Sequence, residues 1–573
     1  DRSPSRGLGD VYKRQIYSLL VCVILISSCS LDKEPETTLT DPGFWKTETD
    51  LRGACNRLYI DLPGFLTGRG HDLRSEELLG TTPDVISSGS RGVPEKSSDW
   101  TDPYNKIGVC NNIIIKGGEA PIDEASKNRW IAEARFFRAF YYFDLVKKYG
   151  DVPLILKVFT NTTDPEIKKG RDPRETVIQQ CYSDLEFACE WLPDIDKLSD
   201  NSNWGRVSRS AALAMTIRIG LYEGTYIKYH NLQGGDSKAH LKKAIDAAET
   251  MIYTEKKHEL YSNFQNLFYF EGEGRQNKEN VFVKIYGPNG ASNAIVYHNQ
   301  SSTKATQVSL TRQMIDKFLY ADGLPRKQSS YYKMDLNHND IFTNRDPRLA
   351  MTVFSYKEKA FKGAEFRPFD STNYGGTGYP IKKGYSNSEF NTNGKETVDK
   401  MIIRYAEVLI SYAEAFYEYY GEISDTKLNE TVNLIRKRSG FDAELSNQFV
   451  RDHQLSMIEE IRRERIVEFI DEDMHYDDII RWKTAEKLLP QALLGILFNP
   501  EESAKTDKEL NYQFTDENGF YKGVKLYDQP NIYVGEDISS RSFNPERDYL
   551  YPVPSYEIST SGGNIKQNPK WND

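Results

Sequence analysis

The sequence predicts a mostly α-helical protein in which paired helices alternate with loop-rich segments. Three observations predict this fold class. Apolar side chains recur every three or four residues over several long segments, which is the spacing that places them on one face of an α-helix. Glycine or proline follows the ends of the clearest segments, where each can stop a helix. Between the segments the chain is rich in Gly, Asn, Ser, Pro and Tyr, which favours irregular loops and a few short strands.

Two helices carry the clearest apolar stripes. One is predicted over residues 126–148 and ends before Gly150, and the other is predicted over 401–420 and ends at Gly421. The stripes consist of Ala132, Phe136, Phe140 and Phe143 in the first helix and of Ile402, Ala406, Leu409, Ala413, Phe416 and Tyr420 in the second. Further helices are predicted over 172–192, 207–229, 238–253, 427–438 and 453–470.

Paired helices of these lengths resemble the helical hairpins of tetratricopeptide-like solenoids, although the chain shows no clean repeat of the signature residues at the expected period of about 34 residues. The loop-rich segments are 257–400 and 495–573. Long loops on a rigid scaffold commonly carry binding residues. We therefore expect the helices to form a scaffold and the loops to contribute ligand contacts.

The start of the chain has the features of a targeting segment. Residues 1–15 contain no Met and are rich in Arg and Lys, so we exclude them from the folded body as an artefactual start. Residues 16–26 form an apolar run that is long enough for a signal peptide and too short to span a membrane. The run is followed by Ser27-Ser28-Cys29 and resembles a bacterial lipobox, which predicts that Cys29 carries the lipid.

The residues after Cys29 are acidic and resemble the surface-export signal of Bacteroidota lipoproteins. Attached acyl chains can anchor a protein to a membrane without any spanning helix. The predicted parts are an artefactual start and signal peptide (1–28), a lipidated tether (29–40) and a folded body (41–573), which divides into an N-terminal part (41–255) and a loop-rich, C-terminal part (256–573).

The composition is that of a soluble globular body with an acidic surface. Hydrophobic residues make up 38% and charged residues 28%, and the net charge of -10 argues against a nucleic-acid partner. The 36 tyrosines offer flat apolar faces with polar tips, which suits recognition as well as packing. The cysteines of the body are too few for a disulfide framework in a chain of this size, so we expect them in the core: Cys55, Cys110, Cys181 and Cys189.

Several blocks of the predicted body resemble one protein family. Residues 132–143 (Ala-Glu-Ala-Arg-Phe-Phe-Arg-Ala-Phe-Tyr-Tyr-Phe), followed by Tyr-Gly-Asp-Val-Pro-Leu at 149–154, resemble the signature of the SusD/RagB family. Further blocks that resemble this family, in the same order, are Phe44-Trp45, Asn-Arg-Asp-Pro-Arg-Leu at 344–349, Arg-Tyr-Ala-Glu-Val at 404–408, Tyr-Ala-Glu-Ala at 412–415, Leu-Tyr-Pro-Val-Pro at 550–554 and Gln-Asn-Pro at 567–569. The sequence departs at His475 and Asp477, where the family more often has Arg and Phe.

The resemblance implies a lipoprotein on the outer membrane, anchored by lipid alone and facing the cell exterior. It also implies a partner, a SusC-like TonB-dependent outer-membrane transporter over which the protein sits as a lid, and a glycan ligand. Neither a catalytic residue nor a cofactor is expected, because glycan capture needs aromatic faces together with amide and charged groups, and no bond is broken.

Two short stretches match the positions where the family's ligand residues lie. Their candidates are Asp72, Arg74, Trp100, Tyr104 and Asn105, with Trp100 and Asn105 favoured. The alternative for Trp100 is a packing role, because a Trp at the start of a helix often packs there as a staple. Tyr286 and Tyr297 flank a Gly- and Asn-rich loop and are further candidate platforms.

Catalytic and metal sites are weaker interpretations. Glu407 and Glu414 could share a helical face as a glycosidase pair, but we expect them to bind Arg side chains of the scaffold. The charged run 459–465 is interpreted as a solvated, salt-bridged face. Asp335, Asn337 and Asn339 partly mimic a calcium loop that lacks its sixth-position Gly and its terminal Glu, so an Asn-rich turn is the alternative.

Other functions remain open at the level of sequence. A peptide-binding uptake lipoprotein of the same family would require a deep polar cavity, whereas glycan capture would favour exposed, coplanar aromatic rings. A surface glycoside hydrolase, the most distant alternative, would require two convergent carboxylates in a cleft.

Overall fold

The computed structural model describes residues 44–198, 203–286, 308–360, 363–370, 376–385 and 398–571. Within these residues the protein is mostly helical, as predicted, and its short strands pair in two-stranded antiparallel sheets. The predicted lipid site Cys29, the segments 1–28 and 29–40, and Tyr297 lie outside the described residues.

The N-terminal half is a row of helices, most of which pack against the next helix along the chain. These helices are α1 Glu48–Ile60, α2 Phe65–Asp72, α3 Ser98–Gly118, α4 Glu124–Tyr149, α5 Arg174–Trp191, α6 Arg209–His230 and α7 Ser237–Glu249, which the π-helical turn Thr250–Glu255 extends. The largest contacts join α3 to α4, α4 to α5, and α6 to α7. Packing between successive helices is what the predicted helical hairpins require.

Local sequence explains where these helices begin and end. The Asp123 side chain accepts a hydrogen bond from the backbone of Ser126 and so caps the start of α4. Gly150, with a φ of 73°, ends the same helix in a conformation that favours glycine. Between α6 and α7, a Cβ on Gly220 would lie 2.6 Å from the His240 carbonyl oxygen, so the close approach of these two helices requires glycine.

The C-terminal half has shorter elements. Its helices are α8 Arg312–Ile315, α9 Arg348–Thr352, α10 Tyr405–Tyr420, α11 Asp425–Glu430, α12 Val432–Arg438, α13 Asn447–Asp452, α14 Met457–Glu468, α15 His475–Arg481, α16 Ala485–Leu488 and α17 Ser555–Thr560. Single 3-10 turns lie at Pro165–Lys168, Ile195–Leu198, Asn266–Phe268, Phe270–Gly272, His338–Phe342 and Ile538–Ser540. Helix α10 packs on α6, α7 and α14 and therefore joins the two halves.

The strands form small sheets within the loop-rich part and between it and the rest of the chain. They are β1 Leu78–Leu79, β2 Asn280–Lys284, β3 Ser309–Leu310, β4 Lys400–Arg404, β5 Leu493–Leu497, β6 Phe520–Tyr521, β7 Val524–Lys525 and β8 Ile532–Glu536. They pair as β1–β3, β2–β4, β5–β8 and β6–β7. In the β2–β4 pair, Lys284 lies opposite Lys400.

The largest hydrophobic core lies among the N-terminal helices and α10. It contains the stripe residues Phe136 and Phe143, the aromatic rings of Tyr142 and Tyr149, and all of Cys55, Cys110 and Cys181. These cysteines are buried, and with Cys189 they are free thiols, as predicted. A second core under the loop-rich part is built around Leu310, Met314, Phe318, Leu349, Tyr379 and Ile496.

Several sequence-based boundaries are wrong. The helix predicted over 401–420 begins at Tyr405, because Met401, Ile402 and Ile403 belong to strand β4, where β-branched residues pack well. The helix predicted over 427–438 is broken at Thr431, and the one over 453–470 begins at Met457.

Helix α3 is absent from the helical segments predicted with bounds, although a helix beginning near Trp100 was expected. It contains Pro103 and several Gly and Asn residues, which lower helix propensity. Its burial against α4 outweighs that intrinsic cost.

The charged run 459–465 is salt-bridged, as predicted, but most of it is buried, and only Glu459 is exposed. Glu460, Glu464 and Arg465 are buried, and Glu464 accepts hydrogen bonds from Arg348 at 2.6 Å and from Arg436 at 2.8 Å. Buried charges of this kind must be paired, because an unpaired one would cost several kcal/mol. Among the described residues, no helix is both long enough and apolar enough to cross a membrane.

Candidate functional site

A cleft of about 540 Å³ opens between the N-terminal helices and the segments that cover them. One wall is formed by the start of α3, the second half of α4 and the middle of α6. Most of the rest of the lining comes from residues 61–63, His71, Arg74, residues 401–402 and six residues within 472–481. Its lining mixes aromatic rings with charged groups, including Phe140, Tyr141, Arg74, Lys106 and Asp144. Such a mixture suits a ligand with apolar faces and many hydroxyl groups.

The two stretches that sequence analysis singled out meet at one end of this cleft. Arg74 Nη2 lies 3.7 Å from Asp99 Oδ1, and Arg74 Nη1 donates a hydrogen bond of 2.8 Å to the Tyr551 hydroxyl. Lys148 Nζ donates to Asp99 at 2.8 Å and to Asp144 at 2.9 Å. Burial alone would raise the pKa of Asp99, but the charges of Lys148 and Arg74 hold that pKa below its usual value.

Trp100 does not lie in the cleft, and the structure corrects its proposed role as an exposed platform. The side chain is 3% exposed and packs edge-on against Tyr149, with ring centroids 4.8 Å apart. Asp99, Asp102, Pro103 and Lys106 of α3 line the cleft instead. An α-helix turns once in about 3.6 residues, so Trp100 faces away from the cleft although Asp99 beside it lines the cleft. The packing alternative is therefore the one that the structure supports for Trp100.

Tyr104 and Asn105 also lie away from the cleft lining. The Tyr104 ring packs against Trp100 and Tyr142, and its hydroxyl donates to the Pro153 carbonyl at 2.8 Å. Asn105 is exposed on α3. The structure thus brings Arg74 to the cleft and leaves these two residues outside its lining.

Asp72 lies behind the cleft wall and is fully buried. Its Oδ2 accepts a hydrogen bond of 3.0 Å from the Asp473 backbone, and its Oδ1 has no hydrogen-bond partner among the described residues. Burial, together with the negative charges of Glu77 and Asp473, raises the pKa of Asp72 well above its usual value. Its position therefore favours a role in holding the wall.

The cleft adjoins a smaller cavity beside strand β4, here called the mouth of the cleft, and the two share Met401, Glu472 and Asp473 in their linings. This cavity is lined by Phe65, Phe268, Lys383, Val398, Asp399, Lys400, Met401, Asp471, Glu472 and Asp473. The Phe65 ring stacks on Tyr286, with centroids 6.1 Å apart and planes inclined by 21°. Burial raises the pKa of Tyr286 to about 12, so its hydroxyl keeps its proton at neutral pH. Of the two aromatic candidates that flank the Gly- and Asn-rich loop, Tyr286 therefore lies at the mouth.

Most residues that line the cleft are not among the binding residues predicted from sequence. Lys147 and Lys148, at the end of α4, line the cleft, and Lys147 forms an ion pair with Asp477. Phe140 was assigned to a core stripe, yet it is half-buried and faces the cleft. The adjacent lysines that follow the apolar stripe at the end of helix α4 were the available signal, because charged residues rarely continue a buried stripe.

The two glutamates of α10 bind arginines, as predicted. Glu407 accepts two hydrogen bonds of 2.7 Å from Arg218, and Glu414 accepts bonds of 2.6 and 2.7 Å from Arg481. Although burial opposes it, Arg481 lowers the pKa of Glu414 to about 2. A general acid needs a raised pKa, so this carboxylate is suited to structure.

The side chains of the proposed calcium loop have separate structural partners. Asp335 forms an ion pair of 2.7 Å with Arg312. Asn337 caps the 3-10 turn at 338–342, and Asn339 Oδ1 accepts a hydrogen bond of 2.8 Å from the Tyr356 backbone. In the described part of the chain, no group of three His, Cys, Asp or Glu side chains is placed to hold a metal ion.

Comparison with known proteins gives consistent matches. A family model described as "SusD family" matches residues 266–571, and one described as "Starch-binding associating with outer membrane" matches residues 92–221. A SusD-like protein of Bacteroides ovatus is 24% identical over 98% of this chain and 97% of its own length. SusD-like protein P2 of Formosa agariphila is also 24% identical, over 97% of this chain and 99% of its own length.

Solved structures share the fold. A SusD-like carbohydrate-binding protein of Bacteroides fragilis superposes with a TM-score of 0.72 at 22% identity, covering 90% of this chain and 99% of its own. Surface glycan-binding protein A of Bacteroides fluxus superposes with a TM-score of 0.59 at 19% identity, covering 92% of this chain and 100% of its own.

Proposed function

Because this chain belongs to the SusD family, we propose that it is a cell-surface lipoprotein that binds glycans and passes them to a SusC-like TonB-dependent transporter. The observation that carries the proposal is the 540 Å³ cleft, whose lining combines the partly buried ring of Phe140 and the buried rings of Tyr141, Phe143 and Tyr222 with ion-paired side chains. Paired charges keep fixed positions, and fixed polar groups can orient sugar hydroxyls. Two relatives with this fold are named for carbohydrate or glycan binding.

The proposal describes a binding protein without catalytic activity. Most carboxylates that line the cleft are engaged by basic groups, among them Asp99 and Asp144 by Lys148, Asp477 by Lys147, and Asp478 by Arg465. Glycoside hydrolysis needs one carboxyl group that keeps its proton and a second that faces the same bond. Although burial opposes it, the basic partners hold the pKa of Asp99 and the pKa of Asp477 below their usual values, and charged carboxylates suit ligand orientation.

Attachment to the outer membrane through Cys29, with the body facing the cell exterior, is part of the same proposal. It is supported by the lipobox-like sequence and by the family description that mentions association with the outer membrane. The glycan would be captured outside the cell and handed to the transporter, so that the protein needs only the lipid anchor.

A glycan array probed with the purified chain from residue 30 onward, together with pull-down of a SusC-like transporter by the lipidated protein, tests the two parts separately. We expect saturable binding to at least one glycan class and stoichiometric recovery of the transporter. Binding to peptides with no binding to glycans would replace the proposal by peptide uptake. Release of sugar fragments from a bound glycan would contradict the absence of catalysis.

A further inference from the structure

Three lysines lie at or beside the mouth of the cleft: Lys106 lines the cleft, Lys400 lines the adjoining cavity, and Lys284 donates a hydrogen bond to Leu62 of the cleft lining. Lys284 ends strand β2 and Lys400 begins strand β4, and the two are directly opposite in the antiparallel pair. Lys106 of α3 lines the cleft, with its ammonium group 5.2 Å from the centroid of the Tyr141 ring. Like charges placed directly opposite on neighbouring strands destabilise a sheet. The arrangement of Lys284 and Lys400 therefore costs stability unless something else compensates.

Only part of this positive charge is neutralised by the described residues. Lys400 forms an ion pair with Asp473 and donates a hydrogen bond of 3.1 Å to the Gly64 carbonyl. Lys284 donates to the Leu62 carbonyl, a neutral partner. Neither Lys284 nor Lys106 has an acidic partner within 4 Å among the residues that the structure describes.

The three ammonium groups act on one another. Burial lowers the pKa of Lys284, and the charges of Lys400 and Lys106 lower it further, while Asp61 opposes them. Mutual repulsion of this kind would be relieved by an anion placed among the three groups.

The acidic groups near Lys284 and Lys400 already have partners. Asp61 forms an ion pair of 3.0 Å with Arg57. Asp473 pairs with Lys400, and Asp399 accepts a hydrogen bond of 2.9 Å from the Tyr286 backbone. Asp102 is exposed one turn before Lys106. The positive charge of Lys284 and Lys106 thus stays available to a ligand.

Aromatic rings adjoin the same lysines. The Lys284 ammonium lies 5.4 Å from the centroid of the Tyr286 ring, and Tyr286 stacks on Phe65. Both rings are half-buried. A pyranose carries C–H faces that pack on such rings, whereas a bare inorganic anion does not. The combination of amines and rings favours a sugar that carries a negative group.

We propose that the mouth of the cleft binds an acidic glycan, whose carboxylate or sulfate group is held by Lys106 and Lys284 while its ring packs beside Tyr286. This inference rests on the proposed function, because it names the class of glycan that the same cleft takes. It assigns to this chain a preference for charged over neutral glycans.

Matched pairs of ligands provide the test, with calorimetry on the purified chain from residue 30 onward. One pair is an oligogalacturonide and its fully methyl-esterified form, which differ only in charge. A second pair is a sulfated carrageenan oligosaccharide and a neutral agarose oligosaccharide, which separates sulfate from carboxylate. A hexaglutamate peptide serves as a probe of charge without a sugar.

Two variants remove the proposed contacts while keeping most of the side-chain volume, Lys284→Met and Lys106→Met. Loss of Lys284 also removes its repulsion with Lys400, so this variant should fold at least as well as the parent. Lys116→Met on the same helix α3 is the matched control, since Lys116 is half-exposed, pairs loosely with Glu119 and does not line the cleft.

We expect the acidic member of at least one pair to have a Kd at least about 10-fold lower than that of its neutral partner, a difference of about 1.4 kcal/mol in binding free energy. Each cleft variant should weaken that binding about 10-fold, and the control should leave it unchanged. Equal or tighter binding of the neutral members overturns this inference and leaves glycan capture standing. Binding of hexaglutamate as tight as that of the acidic glycan also overturns it. Binding to no glycan in either pair overturns this inference as well, whereas the proposed function is overturned only if the glycan array also shows no binding.

Discussion

Arg74 and Asp99 lie 3.7 Å apart at the inner end of the cleft. Their contact joins the segment that follows helix α2 to the first turn of helix α3. Lys148 of α4 shares Asp99, so three elements are tied together at this point. Arg74 is partly exposed and also donates to Tyr551. The contact with Asp99 fixes the orientation of the Arg74 guanidinium group, which faces the cleft. Sugar recognition needs rigid polar groups of this kind.

Replacing Arg74 is expected to weaken glycan binding. Arg74→Ala removes the guanidinium group from the cleft wall, and we expect an increase in Kd of about 10-fold, or about 1.4 kcal/mol. Calorimetry against a glycan identified on the array measures this change. Arg451→Ala, on the exposed helix α13 outside the cleft, is the control and should leave Kd unchanged. If Arg74→Ala, Arg451→Ala and the parent bind the glycan with equal affinity, Arg74 is not part of the binding site.

Trp100 is expected to act on stability, because the ring is buried against Tyr149 and Tyr104. Trp100→Ala should lower the free energy of unfolding by about 3–5 kcal/mol, the usual cost of deleting a buried aromatic ring. Trp100→Phe keeps part of the packing and should retain the parent Kd. Chemical denaturation and calorimetry measure the two quantities. If Trp100→Phe loses glycan binding while its free energy of unfolding is unchanged, Trp100 contacts the glycan and the packing assignment is wrong.

The fold was largely predictable from sequence, because helical periodicity and glycine stops act locally. Helix α4 illustrates this, since its stripe and Gly150 gave nearly the correct bounds. The bounds of helix α3 were missed because its stability comes from packing on α4, which a local pattern does not record. The same limit applies to the site. Arg74 and the start of α3 were found as separate stretches, but which α3 residues face the cleft depends on the rotation of the helix.

The opposed pair Lys284 and Lys400 could not be found from sequence for a related reason. The residues are brought together by the register of β2 and β4, and residue 400 was assigned to a loop at the edge of a predicted helix. Long-range strand pairing is not encoded in local spacing. The buried charged run 459–465 was likewise misassigned, because its neutralising partners, among them Arg348 and Arg436, are distant in the chain.

Glu77 is expected to make stability depend on pH. Burial raises the pKa of Glu77 to about 7, and the negative charge of Asp471 acts in the same direction, against His475 and Lys383. The folded state therefore holds a proton that the unfolded chain releases near pH 4.5. Stability should fall as pH rises from about 4.5 to 7, by a total on the order of 3 kcal/mol from this group.

Glu77→Gln removes that dependence while keeping an oxygen that can accept the hydrogen bond from the Asp471 backbone. Denaturant unfolding at several pH values between 4.5 and 8 should show a shallower decline for the variant than for the parent. Parallel curves for the two proteins would mean that Glu77 does not bind this proton in the folded state.

Cys29 is expected to carry the lipid anchor. In a Bacteroidota host, the parent should incorporate radiolabelled palmitate and fractionate with the outer membrane, because acyl chains bury hydrocarbon in the bilayer. Cys29→Ala should lose the label and appear in the soluble fraction. Cys55→Ala, at a buried thiol of the core, is the control and should keep the label. Labelling of the Cys29 variant would place the anchor elsewhere.

The most direct test of glycan capture in the cleft is calorimetric titration of the purified chain with the best glycan from the array, compared with a Phe140→Ala, Arg74→Ala double variant. Phe140 and Arg74 both line this cleft. We predict saturable binding by the parent and no measurable binding by the double variant, whose thermal unfolding should remain cooperative. Parent-like affinity in the folded double variant would contradict the assignment of the cleft as the glycan site.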